Sequence, residues 1–238
     1  MWACAITFQE TGDDDRFARV IERADLLHSH PFWSDMCALY WLRLGQQDKA
    51  TETRDQAQDH PRSSVTEFVD HWIQLCEART NGTEFRDALK QKIVQYAEDR
   101  IASGKGAYLF LDLSTLLLLG ERDKVKELAS RAIEEIDDAS MQWFEPVYDC
   151  LKDLNFDAAS LKDRWPTYQI DEGPRFMIAY IHFLAACDAI GQGDRVAARE
   201  SFQSCIDQGV FFIWIHWASR AFLSRMNDGW PEWSGNTE

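Results

Sequence analysis

The sequence predicts an all-α protein built from about five repeated helix pairs, and three observations support this fold class. Strand-like alternation of apolar and polar residues is nearly absent, whereas hydrophobic residues recur at spacings of three and four. The helical segments are separated by short breaks that contain Gly, Pro, Asn or Asp. These breaks are periodic, since Gly45, Gly82, Gly120, Asn155 and Gly193 are separated by 37, 38, 35 and 38 residues. Such a regular interval favours stacked helix pairs, because the helices of an irregular bundle need not have equal lengths or evenly spaced breaks.

The first element predicted is an amphipathic helix over residues 13–28, within an N-terminal capping region of residues 1–30. Its acidic first turn suits the positive end of the helix dipole. The apolar stripe consists of Phe17, Val20, Ile21, Ala24 and Leu27.

Residues 31–209 are predicted to contain the helical repeats. The segment GQGDRVAARESFQSCIDQG at residues 191–209 shows their pattern most clearly, because Ala198 and Cys205 flank the aromatic Phe202. Small residues allow two helix backbones to approach closely, and one large side chain fills the remaining space. We therefore expect this face to pack against a neighbouring helix.

This pattern resembles the second helix of the tetratricopeptide repeat family. In that family the helix begins after a Gly and carries a small residue at five positions beyond it, an aromatic at nine and a small residue at twelve. Gly193 is followed at these positions by Ala198, Phe202 and Cys205. The corresponding residues are Ala50, Arg54 and Ala57 after Gly45, and Val125, Ala129 and Ala132 after Gly120.

The resemblance covers roughly residues 31–209, although Arg54 replaces the aromatic of the first repeat. The breaks at Gly82 and Asn155 fit with a shift of about one residue, as Ala88 and Ala159 show. The intervals exceed the usual ~34 residues, so loops or helices must be slightly longer. The resemblance implies a right-handed solenoid whose first helices line a concave groove for a peptide or a partner's helix.

The groove positions of the family, carried over residue by residue, predict a lining that is aromatic and aliphatic with isolated Arg. Two C-terminal tryptophans add a second candidate patch. The predicted partner-binding residues are Phe32, Asp35, Leu39, Arg43, Trp72, Arg79, Phe110, Ser114, Tyr180, Phe183, Trp214 and Trp217. We expect Trp72 and Phe183 to be anchors, because buried aromatic side chains dominate such interfaces. Core packing is the alternative interpretation of each aromatic residue.

Residues 210–238 are predicted to form an aromatic C-terminal capping helix and tail. The last repeat of a solenoid has no following neighbour, so its outer face should become polar. This segment remains rich in Trp and Phe. Either it folds back onto the groove, or it forms an exposed docking patch.

The composition indicates a folded, acidic protein. Hydrophobic residues make up 45% of the 238 positions and include ten Trp, enough for a substantial core in one or two domains. The 40 Asp and Glu outnumber the 25 Lys and Arg and give a net charge of −15. This charge disfavours direct binding to nucleic acid, which depends on Lys and Arg. It indicates either a surface for solubility or one that attracts a basic partner.

Cysteine usage and the N-terminal sequence predict a cytoplasmic protein. None of the six cysteines forms a CxxC pair or lies in zinc-ligand spacing with His, so we interpret them as apolar packing residues. The N-terminus lacks the basic segment of a signal peptide, and no stretch has the apolar length of a membrane span.

No motif in the sequence predicts catalysis or cofactor binding. The HSH group of His28 and His30 lacks a third metal ligand, and His182 is interpreted as a hydrogen-bonded or groove residue. The Gly104–Gly106 stretch lacks the rest of a phosphate-binding loop and is interpreted as an interhelix turn. We therefore expect no enzymatic activity, no metal and no cofactor.

The function predicted from the sequence is protein–protein interaction. We expect an adaptor, scaffold or regulatory subunit whose groove binds a protein partner, either basic or part of a larger complex, with no direct nucleic-acid or membrane binding. An acidic nucleic-acid mimic that blocks a basic cleft is one alternative. A helical enzyme or small-ligand sensor is the other.

Overall fold

The all-α prediction is confirmed by the computed structural model, which describes residues 14–25, 31–56, 64–104, 106, 109–136, 141–161, 173–210 and 214–227. Every regular element within these ranges is a helix. In chain order the helices are α1 (Asp14–Asp25), α2 (Pro31–Arg43), α3 (Gln47–Gln56), α4 (Ser64–Ala102), α5 (Leu109–Leu118), α6 (Arg122–Glu135), α7 (Met141–Asp153), α8 (Ala158–Leu161), α9 (Gly173–Gly191), α10 (Arg195–Asp207) and α11 (Trp214–Asn227). No helix in these ranges is long and apolar enough to cross a bilayer.

The helical stretch α4 reverses direction and so supplies two packed arms. As a straight helix its 39 residues would span about 58 Å. Nevertheless, Arg100 forms an ion pair with Glu67, and the ring centroids of Tyr96 and His71 are 5.8 Å apart. Both pairs are centred within two residues of Gly82, where the sequence predicts a break. Glu67 and His71 belong to the N-terminal arm, and Tyr96 and Arg100 belong to the C-terminal arm.

Three of the predicted breaks share one turn geometry. Gly45, Gly120 and Gly193 have φ angles of 70°, 80° and 80°, a left-handed conformation that glycine adopts without strain. Each glycine amide donates to the carbonyl three residues earlier, and the next amide donates to the carbonyl five residues before it. The amide of Asn155 makes the same five-residue bond, after Leu154 at a φ of 49°. The sequence periodicity therefore corresponds to a repeated local structure.

The helices that follow the three glycines bury the face that the sequence predicts. The described residues at five, nine and twelve positions beyond each glycine are almost completely buried, and they are Ala50, Arg54, Val125, Ala129, Ala132, Ala198, Phe202 and Cys205. In α10 the Asp194 side chain caps the helix by accepting a hydrogen bond from the Ala197 amide. The expectation that Ala198, Phe202 and Cys205 form a packing face is confirmed.

Helix pairs pack in an order that differs in part from their order in the chain. Neighbours such as α2 and α3, α5 and α6, and α9 and α10 pack together, but α9 also packs along α5. Gly191 permits this approach, because a Cβ there would overlap the carbonyl oxygen of Leu117. The backbones of the two helices are therefore in close contact at the C-terminal end of α9.

The last described helix, α11, packs against helices from both the early and the late part of the chain. It packs on α10 and on α2, and the Ser224 hydroxyl donates to the carbonyl of Arg43 at 3.0 Å. Nine of its 14 residues are buried, so it is enclosed on most sides. Stacking of successive repeats does not by itself provide a contact between α2 and α11. The right-handed solenoid of about five pairs stays a prediction.

The helix α1 packs against α2 and α11. Its buried Phe17 ring lies 4.6 Å from Tyr40 on α2 and 5.6 Å from Trp217 on α11, measured between ring centroids. The helix begins at Asp14 and ends at Asp25, inside the predicted span of residues 13–28. His28 and His30 lie outside the described residues.

Candidate partner-binding groove

We use the name central groove for the aromatic cluster formed by Phe68 and Trp72 of the N-terminal arm of α4, Tyr180 and Phe183 of α9, and Phe202 of α10. These side chains come from helices that are adjacent in space, and all five are buried. Each of the five rings contacts Trp214 or Phe222 of α11. The helix that packs on this cluster therefore belongs to the same chain.

Phe222 of α11 contacts both residues that the sequence predicts as anchors. Its ring stacks on Trp72 at a centroid distance of 3.9 Å and an interplanar angle of 8°. It also stacks on Phe202 at 4.9 Å and lies 6.3 Å from Phe183. Trp72, Phe183 and Phe202 thus hold one aromatic side chain of an inserted helix, as such residues do in helix-in-groove recognition.

Trp214 contacts the other end of the groove, eight residues before Phe222. Its ring centroid lies 4.7 Å from Phe68, 5.3 Å from Phe183 and 6.4 Å from Tyr180. Aromatic pairs at these separations contribute beyond the burial of their area. The α11 rings of Trp214, Trp217 and Phe222 are buried in the core. Residues 228–238 lie outside the described part of the chain, and the choice between a capping segment and a docking patch stays open.

The structure places most of the predicted partner-binding residues in the interior. Those buried are Asp35, Leu39, Trp72, Phe110, Ser114, Tyr180, Phe183, Trp214 and Trp217. Arg43 is half-buried, and the side chains of Phe32 and Arg79 lie outside the described residues. While α11 is in place, the buried residues have almost no surface for a partner. Their role in partner binding stays a prediction.

Three of the predicted residues lie away from the aromatic stacks around Phe222. Phe110 packs instead at 4.8 Å from Tyr180, and its amide donates to the Tyr148 hydroxyl at 3.2 Å. Ser114 donates to the carbonyl of Leu111 within α5. Asp35 belongs to an ion-pair network.

An arginine links the first helix pair to the next. The Arg54 Nη1 atom lies 3.0 Å from the Asp35 carboxylate on α2, and its Nε atom lies 2.8 Å from Asp70 on α4. Nη1 also donates to the Ser34 hydroxyl. Arg54 and Asp35 are buried, and a buried charge requires such partners. The sequence showed that Arg54 replaces an aromatic residue, but did not identify its carboxylate partners.

A second arginine repeats this arrangement one pair further along the chain. Arg100, on the C-terminal arm of α4, pairs with Glu67 on the N-terminal arm, and its Nε atom lies 2.8 Å from Asp112 on α5. In both cases the arginine on the second helix joins a carboxylate of its own pair to one of the next pair. A third arginine, the more exposed Arg122 on α6, lies 3.1 Å from Asp188 on α9. We call these contacts the arginine bridges.

Burial shifts the pKa of two groups beside the Arg100 bridge. Desolvation raises the pKa of Asp112 to about 7 in spite of Arg100, whose charge and hydrogen bond lower it, while Glu67 raises it further. Desolvation lowers the pKa of His71 to about 3, and the nearby charges of Lys92 and Arg100 add to this effect. Such shifts are typical of catalytic sites and of structural ion-pair networks alike. Here the bridging geometry indicates a structural network.

Among the described residues, the remaining chemical candidates do not come together in one site. His182 is half-buried on α9, and burial lowers its pKa. Gly104 forms a turn after α4 at a φ of 68°, as predicted, whereas Lys105 lies outside the described residues. In the part of the chain that the structure describes, no three His, Cys, Asp or Glu residues are arranged to hold a metal ion.

The outer surface beside α2 is acidic. Helix α3 buries Ala50, Thr53 and Arg54 and leaves Asp48 and Glu52 exposed one turn apart, together with Asp55. These carboxylates line an open cleft with Thr51 and Gln56. The negative charge predicted from the composition is therefore displayed on an exposed helix face.

Comparisons with protein-family models, with curated proteins and with solved structures found no match to this chain.

Proposed function

We propose that the protein is an interaction module that holds a helix of a partner protein in the central groove. The observation that carries this proposal is the position of Phe222, which contacts Trp72, Phe183 and Phe202. These ring contacts support a site whose aromatic chemistry suits an amphipathic helix. An adaptor, a scaffold and a regulatory subunit are the roles that such a module serves.

The repeated structure supports the fold part of the proposal, a right-handed solenoid of about five pairs similar to tetratricopeptide repeats. The turns at Gly45, Gly120 and Gly193 share their φ region and hydrogen bonds. The bridges of Arg54 and Arg100 connect successive pairs in the same way. Recurring turns and recurring contacts between pairs are features of stacked repeats.

The charge distribution supports a basic partner. The carboxylates of α3 are exposed beside α2, whose C-terminal end contacts α11. A negative surface near a binding groove increases the rate at which a positive segment arrives. The proposed location is the cytoplasm, and the free thiols of Cys37, Cys150, Cys187 and Cys205 are compatible with its reducing conditions.

Site-specific photo-crosslinking tests the proposal. Leu44 is 40% exposed directly after α2, next to Arg43, whose carbonyl accepts a hydrogen bond from Ser224 of α11, and it is suitable for replacement by a photo-reactive phenylalanine analogue. The same replacement at the exposed Glu134 of α6 is the control. We expect residue 44, and not residue 134, to crosslink to one helical segment of a partner, and the isolated segment to bind the purified chain. Equal crosslinking from both positions, or none from residue 44, would count against a groove site.

The same experiment separates the alternative functions. An acidic nucleic-acid mimic would crosslink through its exposed carboxylate faces to a basic cleft and would compete with nucleic acid for it. An enzyme or small-ligand sensor would retain a small molecule and need no protein partner. Each of these results would contradict the proposed groove.

A further inference from the structure

We propose, resting on the proposed function, that α11 is a displaceable occupant of the central groove, and that a partner enters by presenting a helix that exchanges with it. The incoming helix would carry aromatic residues at the positions of Trp214, Trp217 and Phe222. In this state the protein is closed by its own C-terminal helix, which acts as an autoinhibitory element.

The helix pairs are connected by contacts that do not involve α11. Arg54 joins α2, α3 and α4, whereas Arg100 joins both arms of α4 to α5. Arg122 joins α6 to α9. Because none of these three bridges involves α11, they are retained while the occupant of the groove changes, and α10 stays packed on α9.

The C-terminal end of α11 is held by a small set of hydrogen bonds, which we call the latch. Ser224 donates to the carbonyl of Arg43 at 3.0 Å. Arg195 donates to the carbonyl of Met226 at 3.3 Å, and Arg199 donates to the Asn227 side chain at 2.7 Å. Ser224 is half-buried and Asn227 is exposed, although Phe222 and Met226 beside them are buried. In the proposed exchange, opening begins at this C-terminal end, where the latch bonds lie.

Exchange is favoured over simple release because the aromatic groups must stay covered. If α11 left alone, Trp72, Phe183 and Phe222 would all be exposed to water, at a large loss of hydrophobic free energy. An incoming helix that supplies equivalent aromatic contacts replaces each contact as it is lost. A helix without such aromatic side chains would therefore not displace α11.

The surroundings of α11 define the chemistry of the incoming helix. It needs large aromatic residues at positions i, i+3 and i+8, matching Trp214, Trp217 and Phe222. It needs small residues at i+4 and i+7, because Ala218 and Ala221 are fully buried. A larger side chain at either position would overpack the contact.

A labelled peptide of residues 210–230 of this chain, added to the full-length protein, is the probe for exchange. It is isotopically labelled so that its mass differs from that of α11, and it carries a fluorophore for anisotropy. The same peptide with Phe222→Ala is the control ligand. We expect the first peptide to bind slowly and the second to bind at least about tenfold more weakly, as expected for loss of an interface anchor.

Latch variants test whether α11 limits entry. Ser224→Ala with Arg199→Ala removes two latch bonds, and we expect peptide association to become about fivefold faster or more, since one lost hydrogen bond has about this effect. The matched control is Ser130→Ala with Arg131→Ala, which removes a serine and an arginine contact within α6. The control variant should bind the peptide at the wild-type rate.

Hydrogen exchange measured by mass spectrometry gives the deciding result. When the peptide binds, the amides of α11 should lose protection while those of α9 and α10 keep it. Retained protection of α11 in the complex, equal association by the latch and control variants, or no peptide binding at all would each overturn the proposal. A partner helix that crosslinks at residue 44 while α11 stays protected would preserve an interaction module, but it would reject both the exchange and the central groove as the binding site.

Discussion

Arg54 shows how a single residue departs from a repeat pattern and is accommodated by the fold. The resemblance predicts an aromatic residue at this position, and the structure instead buries a guanidinium between Asp35 and Asp70. The sequence revealed the substitution and its helical face. It could not reveal the two carboxylates, because they lie 19 and 16 residues away and meet Arg54 only when α2, α3 and α4 pack together.

Removing Arg54 should therefore destabilise the protein mainly by leaving Asp35 unpaired in the interior. We expect Arg54→Met to reduce the free energy of unfolding by about 3–5 kcal/mol. Adding Asp35→Leu should restore much of this loss, because the uncompensated charge is then absent. Urea unfolding of the two single variants and the double variant measures the coupling. A double variant as unstable as the sum of the single variants would show that the bridge does not form.

The raised pKa of Asp112 and the lowered pKa of His71 act on stability in opposite directions. Folded Asp112 holds its proton up to about pH 7, so its contribution is present at low pH and is lost as the pH rises towards 7. Folded His71 resists protonation, so its contribution is lost as the pH falls below its ordinary pKa of 6.5. Between about pH 4.5 and 6.5 the two effects partly cancel.

Asp112→Asn should remove one of these opposing effects. We expect the stability of the variant to rise more steeply with pH than that of the wild type, by up to about 1.4 kcal/mol per pH unit. Chemical unfolding at several values between pH 4.5 and 6.5 measures the slopes. Parallel curves would contradict the pKa assigned to Asp112.

At the scale of helices, the sequence predicted features that depend only on residue type and on spacing along one helix. The glycine turns and the buried face of α10 follow from residue type and spacing, and both were predicted. The packing of α9 on α5 was not, because it depends on Gly191 meeting a carbonyl 74 residues earlier in the chain. No local pattern distinguishes such a glycine from one in an ordinary turn.

Ala198 provides the test of helix packing. Ala198→Trp should reduce the free energy of unfolding by roughly 1–3 kcal/mol or more, because α10 must move away from its neighbours to accommodate the ring. Glu200→Gln on the exposed face of the same helix is the control and should change stability little. Thermal melts compare the two variants. An unchanged melting temperature for Ala198→Trp would show that this face is not tightly packed.

At the scale of the whole molecule, the sequence identified Trp72 and Phe183 as residues of an apolar face, and their role in binding a partner stays a prediction. Trp72 and Phe183 do contact a helix, but that helix is α11. Hydrophobic spacing identifies a face that must be covered, and it does not state which helix covers it. Both alternatives for residues 210–238 satisfied the same pattern, and spacing alone does not show that Phe222 packs on Trp72.

The acidic exterior should control how fast a partner arrives. Reversing the α3 face with Asp48→Lys, Glu52→Lys and Asp55→Lys should slow association with the crosslinked partner by about tenfold at low salt. Dissociation should change much less. The control variant Glu134→Lys, Glu200→Lys and Asp207→Lys makes the same change in net charge on exposed residues elsewhere. Equal slowing by both variants would show that the net charge of the protein, and not the position of the α3 carboxylates, sets the association rate.

Contact between Trp72 and Phe222 is the most direct test of the claim that α11 lies in the central groove. Their ring centroids are 3.9 Å apart, well within the range of proton–proton nuclear Overhauser effects. With selectively labelled Trp and Phe, we predict cross-peaks between the Trp72 indole and the Phe222 ring that vanish in a folded Phe222→Leu variant. Strong Trp72 contacts to other rings, with none to Phe222, would contradict the account and place α11 outside the groove.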